Sequence, residues 1–116
     1  MPNHIHVLGT LGERLALNRV VAKLKAGTRT VLGSRGLAWQ ENYVEHRLRN
    51  DTDLEPFARY IFLNPYRGNL LRLAGRWPHW WRWGELRFEF EAMVAQAGSV
   101  PPAWLGESDP LGVSDL

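Results

Sequence analysis

The chain has 116 residues, 45% of them hydrophobic and 22% charged, the size and balance of one globular domain rather than of a disordered segment. It contains no cysteine, which excludes disulfide frameworks, zinc–thiolate and iron–sulfur centres and thiol nucleophiles together. The net charge of +2 conceals an asymmetry: residues 1–84 carry 13 of the 14 Lys and Arg but 6 of the 12 Asp and Glu, so a basic body with an acidic end points to a polyanionic partner.

The opening Met1-Pro2-Asn3-His4 lacks the basic and apolar regions of a signal peptide. No apolar run approaches the roughly 20 residues of a membrane helix, so the expectation is a cytoplasmic protein without membrane contact. His4-Ile5-His6-Val7-Leu8 alternates polar and apolar residues and predicts a short strand with both histidines on one face. Leu15, Leu17, Val20, Val21 and Leu24 then predict an amphipathic helix from about Glu13 to Lys25, ended by Gly27. The Gly-, Thr- and Arg-rich stretch 27–38 reads as a loop or hairpin, with a short strand at Thr30-Val31-Leu32. Tyr43-Val44 is β-prone, and His46 to Arg49 is not.

The clearest helix starts at Thr52. Thr52-Asp53-Leu54-Glu55 has the form of a capping box, Pro56 falls in the tolerant first turn, and Pro65 stops the helix near Asn64. An aromatic run, Trp77-Pro78-His79-Trp80-Trp81-Arg82-Trp83, precedes a short helix over about Leu86 to Ala97 that ends at Gly98. These assignments give a domain over 1–97 and an extended Pro/Gly-rich acidic tail over 98–116.

Two features carry chemistry. His4 and His6 sit about 6.5 Å apart on one strand face, close enough for two imidazoles to converge on a divalent ion, although such pairs are commoner as surface or packing features. Tyr60 and Asn64 are an i,i+4 pair on one helix face. The carboxamide oxygen suits a hard ion, Mg²⁺ or Mn²⁺, that also accepts imidazole. The hydroxyl one turn away is a nucleophile; its ordinary reading is a satisfied residue at the rim of the core.

The order of these residues makes the pattern specific. Met-Pro-Asn-His-Ile-His-Val-Leu resembles the HUH strand (His, hydrophobic, His) of the REP-associated tyrosine transposases and their single-tyrosine insertion-sequence relatives. Trp39-Gln40-x-x-Tyr43-x-Glu45-His46-x-Leu48-Arg49 and Asp53-Leu54-x-x-x-x-Arg59-Tyr60-Ile61-x-x-Asn64-Pro65-x-x-Gly68-x-Leu70 resemble that family's next two blocks, and the resemblance covers about residues 1–83. It implies that His4, His6 and Asn64 hold the metal and that Tyr60 attacks a single-stranded DNA phosphate. The products are a 5′-phosphotyrosine link and a free 3′-hydroxyl. The substrate implied is a REP-type palindrome folded as a hairpin, handled by a monomer or homodimer at the nucleoid of a bacterial cell.

Family members carry a strand and helix before the HUH strand. The fold expected is therefore α+β, a small antiparallel sheet with helices packed on it, ferredoxin-like but lacking its first strand and helix. The alternative is a catalytically inactive remnant that at most binds DNA. Arg14, Arg19, Lys23, Lys25, Arg29 and Arg35 are expected to track or enter the nucleic acid, and Arg47, Arg49, Arg59 and Arg67 to contact phosphates flanking the site. Trp80 and Trp81 are the tryptophans expected to stack bases, whereas Trp39, Trp77 and Trp83 are assigned to packing. His46 matches a family position, and His79 reads as structural.

Overall fold

The computed structural model describes residues 4–49 and 51–111; Met1 to Asn3 of the opening motif and the last five residues of the tail lie outside the described residues. Two compact units are formed, one from the residues up to Leu8 together with those from Leu48 onward, the other from Gly9–Arg47.

The expected α+β fold is overturned. Among the described residues there are three α-helices and one 3₁₀ turn, and no strand. Polar–apolar alternation favours extended chain, but a sheet requires a second segment with complementary N–H and C=O groups. Thr30-Val31-Leu32 belongs to a helix and Tyr43-Val44 is exposed irregular chain, so neither pairs with residues 4–8.

In the smaller unit, α1 spans Leu17–Gly33. It starts later than the leucine pattern predicts and runs straight through Gly27, where a loop was expected. A lone glycine weakens a helix without ending it, and here the next residue reinforces the turn: the Thr28 hydroxyl donates to the Leu24 carbonyl at 2.8 Å. The helix closes instead at Gly36, whose φ of 72° suits glycine, with Leu37 N–H returning to the Leu32 carbonyl. The chain then doubles back on α1. Trp39 Nε1 donates to Thr28 Oγ1 at 2.8 Å, and Lys25 Nζ donates to the Gln40 carbonyl at 2.6 Å. No residue of α1 is buried.

The larger unit holds the core. Its first helix, α2, spans Glu55–Arg67, and Ala58, Leu63 and Tyr66 on it are buried with Phe90, Val100 and Trp104. Phe62 lies beside them with ring centroids 5.2 Å from Trp80, 5.1 Å from Phe90 and 5.5 Å from Tyr66. The predicted stop at Asn64 is not observed: Pro65 lies inside the helix. Pro65 has no N–H to give to the preceding turn, but its own carbonyl accepts from Leu70 N–H, and Gly68 N–H reaches Asn64.

The capping box is also redirected. Thr52 N–H bonds the Arg49 carbonyl, and Asp53 Oδ1 accepts from Glu55 N–H. The Glu55 carboxylate instead accepts from the backbone N–H groups of Glu89 and Phe90 at 2.9 and 2.8 Å. Those are the first amides of α3, Glu89–Ala97, and an acid at a helix N-terminus meets both unpaired donors and the favourable end of the dipole. This explains why α3 starts three residues after the predicted Leu86. Its end is as expected, with Gly98 at φ 77°.

The stretch after Gly98 is not a simple extended tail. Val100 N–H bonds the Leu73 carbonyl, and a 3₁₀ turn at Pro102–Gly106 places Trp104 in the core.

Candidate active site

α2 presents Tyr60 to an open cavity of about 440 Å³ lined by Pro56, Arg59, Tyr60, Leu63, Arg67, Glu107, Ser108 and Pro110. The helical repeat explains the grouping, since positions 56, 59, 60, 63 and 67 share one side of α2. The Arg67 guanidinium carbon lies 4.1 Å from the centre of the Tyr60 ring, and Nη1 donates to the Tyr60 carbonyl at 3.1 Å. One arginine therefore fixes both the ring and the backbone of the candidate nucleophile. Burial draws the Arg67 guanidinium below its usual range, while Tyr60, Glu107 and Asp109 oppose that shift; arginine stays charged throughout.

Arg59 stands on the same wall, paired with the Glu107 carboxylate and lying over the Trp104 ring at 4.9 Å. The structure thus adds Glu107, Ser108 and Pro110 to the residues singled out from sequence. The acidic character of the chain's end, set against its basic body, was the available signal for Glu107. Its partner was not readable, because 48 residues separate Glu107 from Arg59.

The imidazoles of His4 and His6 come together edge to face, centroids 4.9 Å apart. Burial, with His4 as a second cause, holds His6 below the usual histidine value, so the ring favours its neutral, ligand-competent form. His6 Nε2 is buried without a hydrogen-bond partner, and so is Asn64 Nδ2 on the buried turn of α2. Buried polar atoms normally find partners. Among the described residues no three of His, Cys, Asp and Glu gather into a metal-binding group, and none of His4, His6 and Asn64 lines the Tyr60 cavity. The unspent His6 Nε2 is an atom type that ligates divalent ions, whereas the unspent atom of Asn64 is its amide nitrogen, a hydrogen-bond donor and not a ligand.

The remaining cations divide by environment. Arg14, Arg19, Lys23, Arg29 and Arg35 are exposed in the smaller unit, whereas Lys25 is half-buried and bonded to backbone carbonyls of Gln40 and Glu41. Arg47 and Arg49 are exposed beside Glu45 and Asp51, at 3.9 and 3.5 Å. His46 is exposed, and His79 packs edge-on against Trp77 at 5.2 Å. The tryptophans sort differently from expectation: Trp80 turns inward onto Phe62 and Phe90, while Trp83 is exposed together with Trp81.

Models of protein families, curated proteins and solved structures were compared with the chain, and none matches it. Among the described residues no helix is long and apolar enough to cross a membrane.

Proposed function

We propose that the larger unit cleaves and rejoins single-stranded DNA through Tyr60, as the resemblance to the REP-associated tyrosine transposases implies. The observation that supports this most directly is the setting of Tyr60: a hydroxyl nucleophile on the wall of an open cavity, flanked by two guanidinium groups. Cleaving a phosphodiester places negative charge on the phosphoryl oxygens, which fixed cations stabilise in the transition state.

In the reaction the Tyr60 oxygen bonds to phosphorus as the bond from phosphorus to the 3′-oxygen breaks. The phenolic proton ends on that 3′-oxygen. One phosphodiester is exchanged for another, so rejoining needs no nucleotide cofactor. Arg67 orients the phenol through its ring and carbonyl contacts, and Arg59 supplies positive charge for an entering phosphate once Glu107 yields it. His4, His6 and Asn64 would hold Mg²⁺ or Mn²⁺, which when bound supplies Lewis-acid charge stabilisation. The substrate proposed is a hairpin-bearing single strand of REP type. Lys and Arg of the smaller unit are the proposed contacts to its backbone.

The test is incubation of a labelled single-stranded REP-type hairpin with the protein and Mn²⁺ or Mg²⁺. A covalent protein–DNA adduct is expected, abolished by Tyr60→Phe and by chelation. An adduct that persists in Tyr60→Phe overturns the assignment of the nucleophile. A second reading, a DNA-binding module without chemistry, draws on the absence of a strand under the histidine pair among the described residues. Hairpin binding with no adduct from the folded protein would select it.

A further inference from the structure

We infer that Trp81 and Trp83 form a stacking platform for the bases of a single-stranded nucleic acid, a binding site separate in its residues from the Tyr60 cavity. The inference rests on the reading of this unit as one that handles single-stranded DNA.

The two indoles are 71% and 79% exposed, with ring centroids 5.4 Å apart and planes inclined at 59°. Large aromatic rings usually bury most of their surface, and the neighbouring Trp80 is partly buried against Phe62 and Phe90. The outward pair is held in place from below. Between them, Arg82 turns inward, its Nε donating to both carboxylate oxygens of Glu91 at 2.8 and 2.9 Å and its Nη1 to the Leu86 carbonyl at 3.1 Å. The segment then turns at Gly84, φ 69°. Exposed indoles on an anchored backbone lose little freedom when a ligand stacks on them, which favours binding.

The occupant follows from charge and ring geometry. Arg87 sits on the same turn, its guanidinium on the Gly84 and Leu86 carbonyls at 3.3 and 2.9 Å, and Arg76 is exposed ahead of the tryptophans; neither makes an ion pair among the described residues. Two aromatic faces with a cation on the adjoining turn match consecutive bases on a phosphate backbone, the combination that binds single strands without sequence preference. Rings inclined to each other, rather than closed face to face, leave a surface on each for a base.

The experiment measures fluorescence anisotropy of a labelled oligothymidylate with the full chain, with Trp81→Ala, Trp83→Ala and the double variant, and with an abasic oligonucleotide of equal length. Both side chains are exposed, and circular dichroism verifies that the variants keep their helices. Each alanine is expected to weaken oligothymidylate binding by roughly 5- to 140-fold, the converted range for one stacked base. Trp83→Phe should recover part of its loss, and the abasic strand should bind wild type and double variant alike. Equal affinity of wild type and double variant for oligothymidylate overturns the platform, as does the same loss on the abasic strand. The Tyr60 adduct is scored separately. An adduct with unchanged affinity in the tryptophan variants defeats the platform alone, whereas base-dependent binding without an adduct defeats the Tyr60 reading alone. A wild type that binds no single strand defeats both.

Discussion

At the scale of single residues, Tyr66 shows how burial, outweighing an opposing backbone hydrogen bond at Trp77, determines a pH response. Its hydroxyl donates to the Gly75 carbonyl at 2.8 Å, and burial pushes the phenol above its ordinary value of 10.0. An unfolded chain releases this proton at a lower pH than the folded one. The stability contributed by the shift is therefore complete below the unfolded value and is lost as pH rises through the folded one. In urea titrations at about pH 9 and about pH 11, the wild-type midpoint should fall on going alkaline, and Tyr66→Phe should fall less. A variant that loses as much as wild type would assign the alkaline loss to other groups. At neutral pH, Tyr66→Phe should cost about 1 kcal/mol through the missing hydrogen bond.

Elements show where local pattern and tertiary demand diverge. Thr52-x-x-Glu55 is a sound capping signature, yet the carboxylate is used 34 residues away, on the first amides of α3. No local rule contains that partner. Glu55→Ala leaves two amide donors without their acceptor and should destabilise the unit by about 2 kcal/mol, with Glu55→Gln losing less; the midpoint of urea unfolding checks both. Gly27 makes the opposite point. Read locally it ends a helix, but α1 passes through it, and a methyl group there would meet nothing within 4 Å. Gly27→Ala should therefore raise helicity and stabilise α1 by about 1 kcal/mol. A loop glycine at positive φ would instead be harmed by alanine, so circular dichroism of this one variant separates the two structures.

What was legible follows the same division. Gly98, with its left-handed conformation, and the Tyr60–Asn64 spacing on one helix are local properties, and local residues fix them. The absence of a sheet among the described residues was not legible in the same way, because alternation in His4–Leu8 describes one segment and pairing needs two. Trp80 and Trp83 exchange their expected roles because the inward direction at that turn is set by Glu91 and Phe90, which the aromatic run does not include. Glu107 at the Tyr60 cavity likewise depends on a chain reversal that only the 3₁₀ turn creates.

Over the whole molecule, charge and core are distributed unequally between the units. Gly9–Arg47 holds seven Lys and Arg against three Glu, and its only regular element has no buried residue. Helix stability in proteins comes chiefly from packing an apolar face, whereas α2 carries Ala58, Leu63 and Tyr66 in the core. Amide hydrogen exchange should accordingly release α1 well before α2 under native conditions, and equal protection would contradict the burial difference. The polyanion contact proposed for Arg19, Lys23 and Arg29 would then fall on the less stable unit, with an affinity that drops as salt rises.

The Glu55 grip on α3 has a further consequence for change over time. It fixes where the chain must return after α2, whatever route the intervening residues take, and the entropy of closing such an excursion grows only slowly with its length. Trp81, Trp83 and the turn at Gly84 ride on that excursion while its far end is moored from outside it. New side chains at those two exposed positions can thus be tried at small cost to α2 and α3, leaving that surface free to change while the core stays put.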